Sequence, residues 1–271
     1  MQLSLPYPTE AVLERLHDLL AAHHGLPEDR LRLPPLAQFV LSFIGTRSKG
    51  EVSRQVFEAL FARYGSWEDV AAASPPDLVP LFADLSFAED KAYRLPEALR
   101  LIRQRHGRLE LEFLRDWPAE SAMDWLQRLP GVGPKVAAAA LNFSTLERRV
   151  LVIDSHHLRV VRRLGLVRRQ ATLESAYPRL ERLTPEAWDA AMLERHHTLM
   201  KRHGQLICRL VRPDCAGCPL QDTCPTAATG GPDLGVGRRR GEAVIPLLDQ
   251  PGEGDAAAVG ILRTDDLYAD R

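Results

Sequence analysis

The four cysteines of the chain lie within one stretch of 17 residues, and this feature restricts the fold most strongly. Cys208, Cys215, Cys218 and Cys224 are spaced C-x6-C-x2-C-x5-C, and the 271 residues contain no other cysteine. A secreted disulfide framework distributes its cysteines along the chain, so this clustering indicates metal binding in a reducing compartment. Zinc and iron–sulfur centres both use four thiolates, and the spacing alone does not separate them.

The composition is that of a globular protein, with 45% hydrophobic and 26% charged residues. The length is sufficient for one large domain or two ordinary ones. The N-terminus has no secretion signal, and no apolar run approaches the roughly 18 residues that a membrane span needs. We therefore expect a soluble, cytoplasmic protein.

The net charge of −1 conceals an uneven distribution of basic residues. Between positions 148 and 169 the only acidic residue is Asp154. The arginines of this stretch are Arg148, Arg149, Arg159, Arg162, Arg163, Arg168 and Arg169. Such a local positive field attracts phosphate even when the whole protein is nearly neutral, which favours a nucleic-acid partner.

Apolar residues recur at helical spacing along most of the chain, which predicts an all-α fold. The predicted helices cover 10–22, 34–44, 50–64, 67–73, 75–84, 88–105, 110–115, 121–129, 134–144, 155–165, 171–181, 185–202 and 204–211. Thr9 is expected to cap the first helix, and Ser121 with Asp124 fits a capping box. Only Val150–Ile153 resembles a strand.

The segment LPGVGPK, residues 129–135, predicts a tight turn between two helices. Gly131 and Gly133 accept backbone angles that other residues resist, and Pro134 suits the first position of a helix. The backbone N–H groups of Gly131, Val132 and Gly133 would then lie at a helix N-terminus. Such a terminus binds anions, and a DNA backbone phosphate is the expected ligand.

Lys135 follows this turn and has three interpretations: a DNA phosphate anchor, a catalytic amine, or an ordinary charge on the first turn of a helix. An ordinary lysine is neutral in roughly one molecule in 2,500 at pH 7. A helix N-terminus lowers the pKa by less than about one unit, so a nucleophilic amine needs about two further units from burial. On the residues alone, Lys135 is more readily a phosphate anchor, and a nucleophilic role stays open.

Asp154 ends the apolar run of VLVIDSHHLRVVRRLGL, residues 150–166, directly before a predicted helix. At the edge of a core, a carboxylate serves either to cap the helix or to do chemistry. His156, Arg159 and Arg163 share one face of that helix, and we expect this face to contact phosphates.

Three motifs in this order, LPGVGPKVA, VIDSHHLRVVRRLGL and C-x6-C-x2-C-x5-C, resemble the endonuclease III branch of the helix-hairpin-helix DNA glycosylases over residues 10–226. The resemblance implies a two-lobed all-α fold with a six-helix barrel at 25–146. The second lobe would combine 1–24 with 147–226 and hold a [4Fe-4S] cluster on the four cysteines. Residues 227–271, rich in Gly, Pro and Asp, would form a flexible extension.

The resemblance also implies a function in base-excision repair. The expected partner is double-stranded DNA with a damaged base or abasic site, bound by a monomer with the damaged base flipped out and without a membrane. Lys135 would attack C1′ of an oxidised pyrimidine nucleotide, and β-elimination would follow at the abasic site. Asp154 would assist the nucleophile or stabilise charge on the sugar. Val40 stands where adenine-specific relatives carry a glutamate.

Two alternatives stay open beside this bifunctional glycosylase and abasic-site lyase. The first is an iron–sulfur protein that binds damage or abasic sites and catalyses little. The second is a monofunctional glycosylase that uses Asp154 and water, with Lys135 directed at phosphate.

The segment LSFIGTRS, residues 41–48, departs from the family pattern LSAQATD. Ile44 replaces a glutamine that fills the gap left by the flipped base, and Arg47 replaces a nearby aspartate. We expect Ile44 to act as an apolar wedge in the base stack. A second wedge is expected near residues 83–95, with Leu85 or Phe87 as the inserted side chain.

Overall fold

The structure is a computed structural model that describes residues 11–28 and 30–229, and this part of the chain is helical. The helices are α1 (Val12–His24), α2 (Pro35–Ile44), α3 (Gly50–Tyr64), α4 (Trp67–Ala72), α5 (Pro75–Leu78), α6 (Ala88–His106), α7 (Ala119–Gln127), α8 (Pro134–Asn142), α9 (Ser155–Arg163), α10 (Leu173–Leu183), α11 (Ala190–Leu206) and α12 (Pro225–Ala228). Short 3₁₀ turns cover Glu112–Arg115 and Gln221–Thr223. Because an isolated bridge between Leu33 and Ser144 is the only β pairing in this part, the all-α prediction is confirmed.

Three local predictions are wrong, and one falls outside the described residues. The predicted break near residue 203 is absent, because α11 continues through Gly204. A Cβ on Gly204 would lie 2.8 Å from the His156 Cβ, so the glycine permits close packing of α11 on α9. Val150–Ile153 has no regular secondary structure and does not form a strand. The predicted cap Thr9 lies outside the described residues.

The predicted capping box at Ser121 is also wrong, because α7 begins two residues earlier. Pro118 occupies the N-cap position and has no side chain that caps the helix. Proline is well tolerated at a helix start because its missing N–H would be unsatisfied there in any case. Ser121 and Asp124 therefore lie inside the helix.

One hydrophobic core is built by the elements from α2 to α8. At its centre α2 packs against α8, and nearly every residue of both helices is buried. The run of alanines at 137–140 leaves little side-chain bulk, so the neighbouring helices can approach α8 closely. Burial of α8 on all its faces leaves only its N-terminal end accessible.

A second hydrophobic core is built by α1 together with α9, α10 and α11. It brings the N-terminal helix against residues that follow position 150 in the chain. Asn142 connects the two cores, since its Nδ2 donates to the carbonyls of Arg148 at 3.1 Å and Ala190 at 3.2 Å. The domain boundaries expected from the sequence stay a prediction.

The turn between α7 and α8 depends on Gly131. Its φ of +77° lies in the left-handed region, which favours glycine. A Cβ at this position would also lie 2.9 Å from the Phe43 ring and 3.1 Å from Arg94 Cδ. Gly133 has φ −97° and an open environment, so the requirement for glycine rests on Gly131.

The described residues all belong to one of the two compact units into which the chain divides. Among the helices of this part, none combines the length and the apolar character that crossing a lipid bilayer requires.

Candidate active site

Lys135 lies in the first turn of α8 and is half-buried. The pKa of its amine is lowered to about 8, chiefly by burial and in part by the nearby Lys201 ammonium, while Asp154 opposes both. A pKa of about 8 leaves roughly one amine in ten neutral at pH 7, against fewer than one in a thousand for an exposed lysine. Burial therefore supplies the shift that a nucleophilic lysine requires.

Asp154 is the N-cap of α9, so the capping interpretation is confirmed. Its Oδ1 accepts a hydrogen bond of 2.8 Å from the His157 backbone N–H. Burial alone would raise the pKa of this carboxyl, but the charge that His197 gains in acid and the hydrogen bond from the His157 N–H outweigh burial and leave the pKa below its ordinary value. Asp154 is therefore ionised at neutral pH. Its Oδ2 makes no hydrogen bond within the described residues and stays available to a ligand.

Tyr177 of α10 joins the backbone segments that carry these two residues. Its hydroxyl donates to the Pro134 carbonyl at 3.5 Å and accepts from the Ile153 N–H at 3.2 Å. Pro134 precedes Lys135, and Ile153 precedes Asp154. The Tyr177 hydroxyl therefore fixes the distance between the backbone at Lys135 and the backbone at Asp154. Burial raises the pKa of Tyr177, which keeps the hydroxyl protonated as this bridge requires. No local motif around Tyr177 signals this role in the sequence.

Two buried histidines, His157 and His197, lie near Asp154. Burial lowers the pKa of His157 to about 4 and that of His197 to about 3. His197 Nδ1 lies 2.8 Å from the Val152 carbonyl, the expected acceptor of an Nδ1–H donor. These rings are uncharged at neutral pH, so the cationic groups at the site are lysines.

Lys201 is a basic residue that the sequence reasoning missed. On α11 it lies one turn after His197 and one turn before Gly204, and both of those residues contact the segment from 152 to 156. Lys201 is half-buried and has no hydrogen bond or ion pair among the described residues. Its position on this helix face places a second ammonium beside Lys135.

The hairpin presents part of the predicted anion site. Gly131 and Gly133 are exposed, and their backbone N–H groups have no acceptor in the described part of the chain. The Val132 amide instead donates to the Leu129 carbonyl at 3.2 Å, and the Val132 side chain is buried. Two of the three expected amides are therefore free to bind an anion.

The arginine-rich stretch is mostly not a free basic surface, which corrects the expectation from the sequence. The side chains of Arg148, Arg149 and Arg162 donate to backbone carbonyls of other segments. Guanidinium carries five donors, so it can satisfy several loop carbonyls at once. Arg168 and Arg169 are exposed and have no such partner among the described residues.

The predicted phosphate-binding face of α9 also turns inward. Arg159 donates to the carbonyls of Cys208 at 2.9 Å and Gly204 at 2.6 Å. Its Nη2 lies 3.2 Å from Nδ1 of the half-buried His156. The two side chains thus hold α11 and the start of the cysteine loop, and the role of Arg159 as a phosphate ligand stays a prediction.

Arg163 also donates hydrogen bonds to the loop that contains the cysteines. The side chain is buried and donates to Cys208 Sγ at 3.1 Å. It also donates to the carbonyls of Arg209 at 2.7 Å and Leu210 at 3.1 Å. Its predicted contact with DNA is therefore replaced by contacts with the cysteine loop, where a cation favours thiolates.

The predicted wedge residues are corrected by burial. Ile44 is fully buried in the first core and Leu85 is only 4% exposed, so neither side chain can enter a base stack from these positions. Phe87 is 58% exposed. The guanidinium of the exposed Arg47 lies 5.2 Å from its ring centroid. Arg47 is therefore the exposed residue of the first predicted wedge segment, and Phe87 is one of several exposed residues of the second.

The four cysteines lie in one loop between α11 and α12 as free, partly exposed thiols. Burial, with smaller contributions from the other three thiols, raises the pKa of Cys218 to about 11. The Leu220 N–H donates to this sulfur at 3.4 Å, and His203 Nε2 lies 3.6 Å from it. Four thiols this close become thiolates only when positive charge compensates them, which a metal centre provides.

The positions of the four cysteine thiols indicate which kind of metal centre they could hold. Within residues 11–28 and 30–229, no three His, Cys, Asp or Glu side chains converge closely enough for a single metal ion. In an iron–sulfur cube each cysteine binds a different iron, so the thiolates need not converge on one point. The donor set, four free thiols in one loop beside the Arg163 guanidinium, is one that such a cluster could use.

Tyr177→Phe is expected to lower the free energy of unfolding by about 1–3 kcal/mol, because the buried Ile153 N–H loses its acceptor. Urea unfolding with an unchanged m-value measures the effect. Tyr64→Phe is the matched control, since the buried Tyr64 hydroxyl has no partner among the described residues. An equal, small effect of both substitutions would contradict the bridging role of Tyr177.

No protein-family model matches the sequence. Endonuclease III of Thermotoga maritima is 27% identical over 199 residues, which cover 73% of this chain and 86% of that protein. Protein ROS1C of Oryza sativa subsp. japonica is 29% identical over 185 residues, which cover 63% of this chain. The match spans only 10% of the length of the rice protein.

A solved non-covalent complex of endonuclease III with DNA has a similar fold. Its TM-score is 0.68 at 20% sequence identity, and the match covers 83% of this chain and 99% of that one. The predicted fold is confirmed by this likeness. The chain is thus similar in sequence to endonuclease III of Thermotoga maritima and shares the fold of the endonuclease III in that complex.

Proposed function

We propose that this protein is a DNA glycosylase that removes oxidised pyrimidines from duplex DNA and then cleaves the abasic site as a lyase. One observation carries the proposal: the Tyr177 hydroxyl joins the backbone before Lys135, a half-buried lysine whose pKa burial lowers, to the backbone before the carboxylate of Asp154. A nucleophile and a carboxylate held together in this way suit attack on a sugar carbon. The resemblance to endonuclease III supports the same reaction.

The first step uses the neutral form of Lys135. The Nζ lone pair forms a bond to C1′ of the nucleotide, and the glycosidic bond breaks with its electron pair leaving on the base. Positive charge develops on the sugar, and the Asp154 carboxylate stabilises it electrostatically. Because an ionised Asp154 raises the pKa of Lys135, burial and Lys201 must keep the amine partly neutral.

The second step follows from the covalent C1′–N bond. Nζ loses a proton as the sugar ring opens, and a Schiff base forms. Removal of a C2′ proton then expels the 3′ phosphate, which nicks the strand. A hydrolytic glycosylase has no such step, so the lyase activity depends on Lys135 itself.

Duplex DNA is the proposed partner of the exposed hairpin, and a monomer is sufficient to bind it. The free amides of Gly131 and Gly133 lie at the N-terminus of α8, where a backbone phosphate is favoured. A base inside a duplex is inaccessible to Lys135, so the damaged nucleotide must leave the stack.

The proposed cofactor is a [4Fe-4S] cluster held by Cys208, Cys215, Cys218 and Cys224. When bound, the cluster would fix the fold of the loop between α11 and α12. Arg163 would compensate the negative thiolate charge through its contact with Cys208 Sγ.

Lys135→Ala is expected to abolish covalent trapping by borohydride on duplexes with thymine glycol, dihydrouracil or an abasic site. The reason is that borohydride reduces only a Schiff base between the sugar and an amine. Lys49→Ala is the control, because this substitution removes an exposed lysine and leaves Lys135 in place.

The outcomes separate the candidate activities. Trapping by the wild type and by Lys49→Ala, but not by Lys135→Ala, supports the proposal. Base release by Lys135→Ala at the wild-type rate would show that Asp154 and water suffice. Binding without trapping on every duplex would reject the lysine mechanism.

The isolated protein is expected to contain about four iron and four sulfide per chain and to absorb visible light. Iron analysis and an absorption spectrum of anaerobically purified protein measure both. Cys218→Ser should lower the iron content, whereas Ser66→Ala, which changes a helix cap far along the chain, should not. Stoichiometric zinc without iron would contradict the cluster.

A further inference from the structure

Lysine is rare in this chain, and most of the lysines belong to one site. Only four of the 35 residues that are Lys or Arg are lysines. Lys91 and Lys201 are both close enough to Lys135 for their ammonium groups to interact with it. An ammonium is a compact point charge, whereas a guanidinium is a wide planar fork, so the two cations are not interchangeable in a confined site.

The two lysines beside Lys135 differ in how their donors are used. An ammonium carries three donors. Lys91 is buried, and its Nζ donates to the carbonyls of Ile44 at 2.6 Å and Thr46 at 2.8 Å and to Ser48 Oγ at 3.0 Å. Lys201 is half-buried and makes no hydrogen bond or ion pair with any described residue. The donors of Lys201 therefore remain available to a ligand.

The packing of α11 directs Lys201 toward the proposed catalytic site. One turn before Lys201, His197 Nδ1 lies 2.8 Å from a carbonyl of the segment 152–156. One turn after it, Gly204 permits close approach of the same segment. Residues three and four positions apart share one face of a helix, so Lys201 faces the segment that carries Asp154.

The charges at this site do not balance. Lys135 interacts with one carboxylate, that of Asp154, and with the ammonium groups of Lys91 and Lys201. The excess of positive charge favours binding of an anion. It would also oppose the sugar cation that develops in the proposed reaction, unless an anion of the substrate neutralises the free ammonium. The phosphates on either side of the nucleotide are the anions that DNA supplies.

We propose that Lys201 binds a backbone phosphate that flanks the flipped nucleotide. The inference rests on the proposed function, since it requires a nucleotide held at Lys135. It goes further by assigning a substrate-binding residue on α11, which belongs to the second hydrophobic core. The hairpin amides at Gly131 and Gly133 belong to the elements of the first core. The target strand would thus be held by elements of both cores.

The two flanking phosphates offer the same chemistry with different consequences. In β-elimination the C2′ proton leaves, the C3′–O bond breaks, and its electron pair stays on the oxygen of the 3′ phosphate. An ammonium at this phosphate stabilises the growing negative charge, so Lys201→Met should slow strand nicking more than covalent trapping. The 5′ phosphate stays bonded to the sugar, so a contact there contributes to binding alone.

Equilibrium binding to duplexes with a tetrahydrofuran abasic analogue, which is not cleaved, tests the inference. The full chain is compared on an unmodified duplex and on duplexes with an uncharged methylphosphonate in place of the 3′ or the 5′ phosphate. We expect the wild type to bind about tenfold more weakly when the contacted phosphate is uncharged. Lys201→Met should bind the unmodified duplex about tenfold more weakly and lose less than about twofold more on that methylphosphonate.

Arg202→Met is the matched control. Arg202 is the next residue of α11, is also half-buried, and donates to the His24 carbonyl at 2.9 Å. This variant should keep the full methylphosphonate penalty, because its guanidinium is engaged by the protein. Lys201→Met should unfold in urea as the wild type does, since methionine retains the apolar stem of the lost side chain.

The outcomes decide the inference and separate it from the proposed function. Unchanged binding by Lys201→Met, or a methylphosphonate penalty that this variant retains in full at both positions, would overturn the inference. Loss of the penalty at one phosphate, in a protein that traps no covalent complex, would reject the lysine mechanism and support the Lys201 contact. Covalent trapping with both penalties retained by Lys201→Met would do the reverse.

Discussion

The burial of α8 is the constraint on which the rest of the site depends. This helix is apolar on every face and packs into the first core, so its N-terminal turn is the part that reaches the surface. The Lys135 amine leaves the helix at this turn, where the surrounding protein removes much of its hydration. Loss of hydration destabilises the charged form of an amine, which is the physical origin of its lowered pKa.

The second core supplies the carboxylate through a different constraint. Asp154 ends the extended segment that passes from the first core into α9, and it must cap that helix. The cap fixes one carboxylate oxygen and leaves the other available. The Tyr177 hydroxyl joins the backbone before Asp154 to the backbone before Lys135. Tyr177 of α10 thus fixes the spacing between Lys135 and Asp154, which neither hydrophobic core fixes by itself.

Sequence patterns predicted the features that depend on local interactions. The hairpin glycine, the apolar run before Asp154 and most helices follow from backbone preference and periodicity, and the structure contains them. The direction of a charged side chain depends instead on which loop reaches it. Arg159 and Arg163 lie on a helix face that resembles a phosphate site in sequence, yet the cysteine loop takes their donors. Nothing within residues 155–163 indicates that this loop returns there.

Burial likewise decides which wedge residue is accessible. Ile44 and Phe87 are both apolar, and the sequence predicts both as candidate wedge residues. Ile44 lies on a face of α2 that packs into the core, whereas Phe87 begins α6 in a left-handed conformation that directs it outward. Tyr177 and Lys201 reach the site from distant helices and give no signal in a single sequence. Long-range packing is therefore the part of the site that local patterns do not predict.

The pKa of Lys135 is the most direct test of this account. The chain has four lysines, so reductive methylation with ¹³C gives four side-chain NMR signals, and Lys135→Arg identifies the one of interest. We predict that Lys135 titrates near pH 8, well below the ordinary range of a lysine. Titration of Lys135 in the ordinary range, above about pH 10, would show that the amine remains hydrated and would contradict the account.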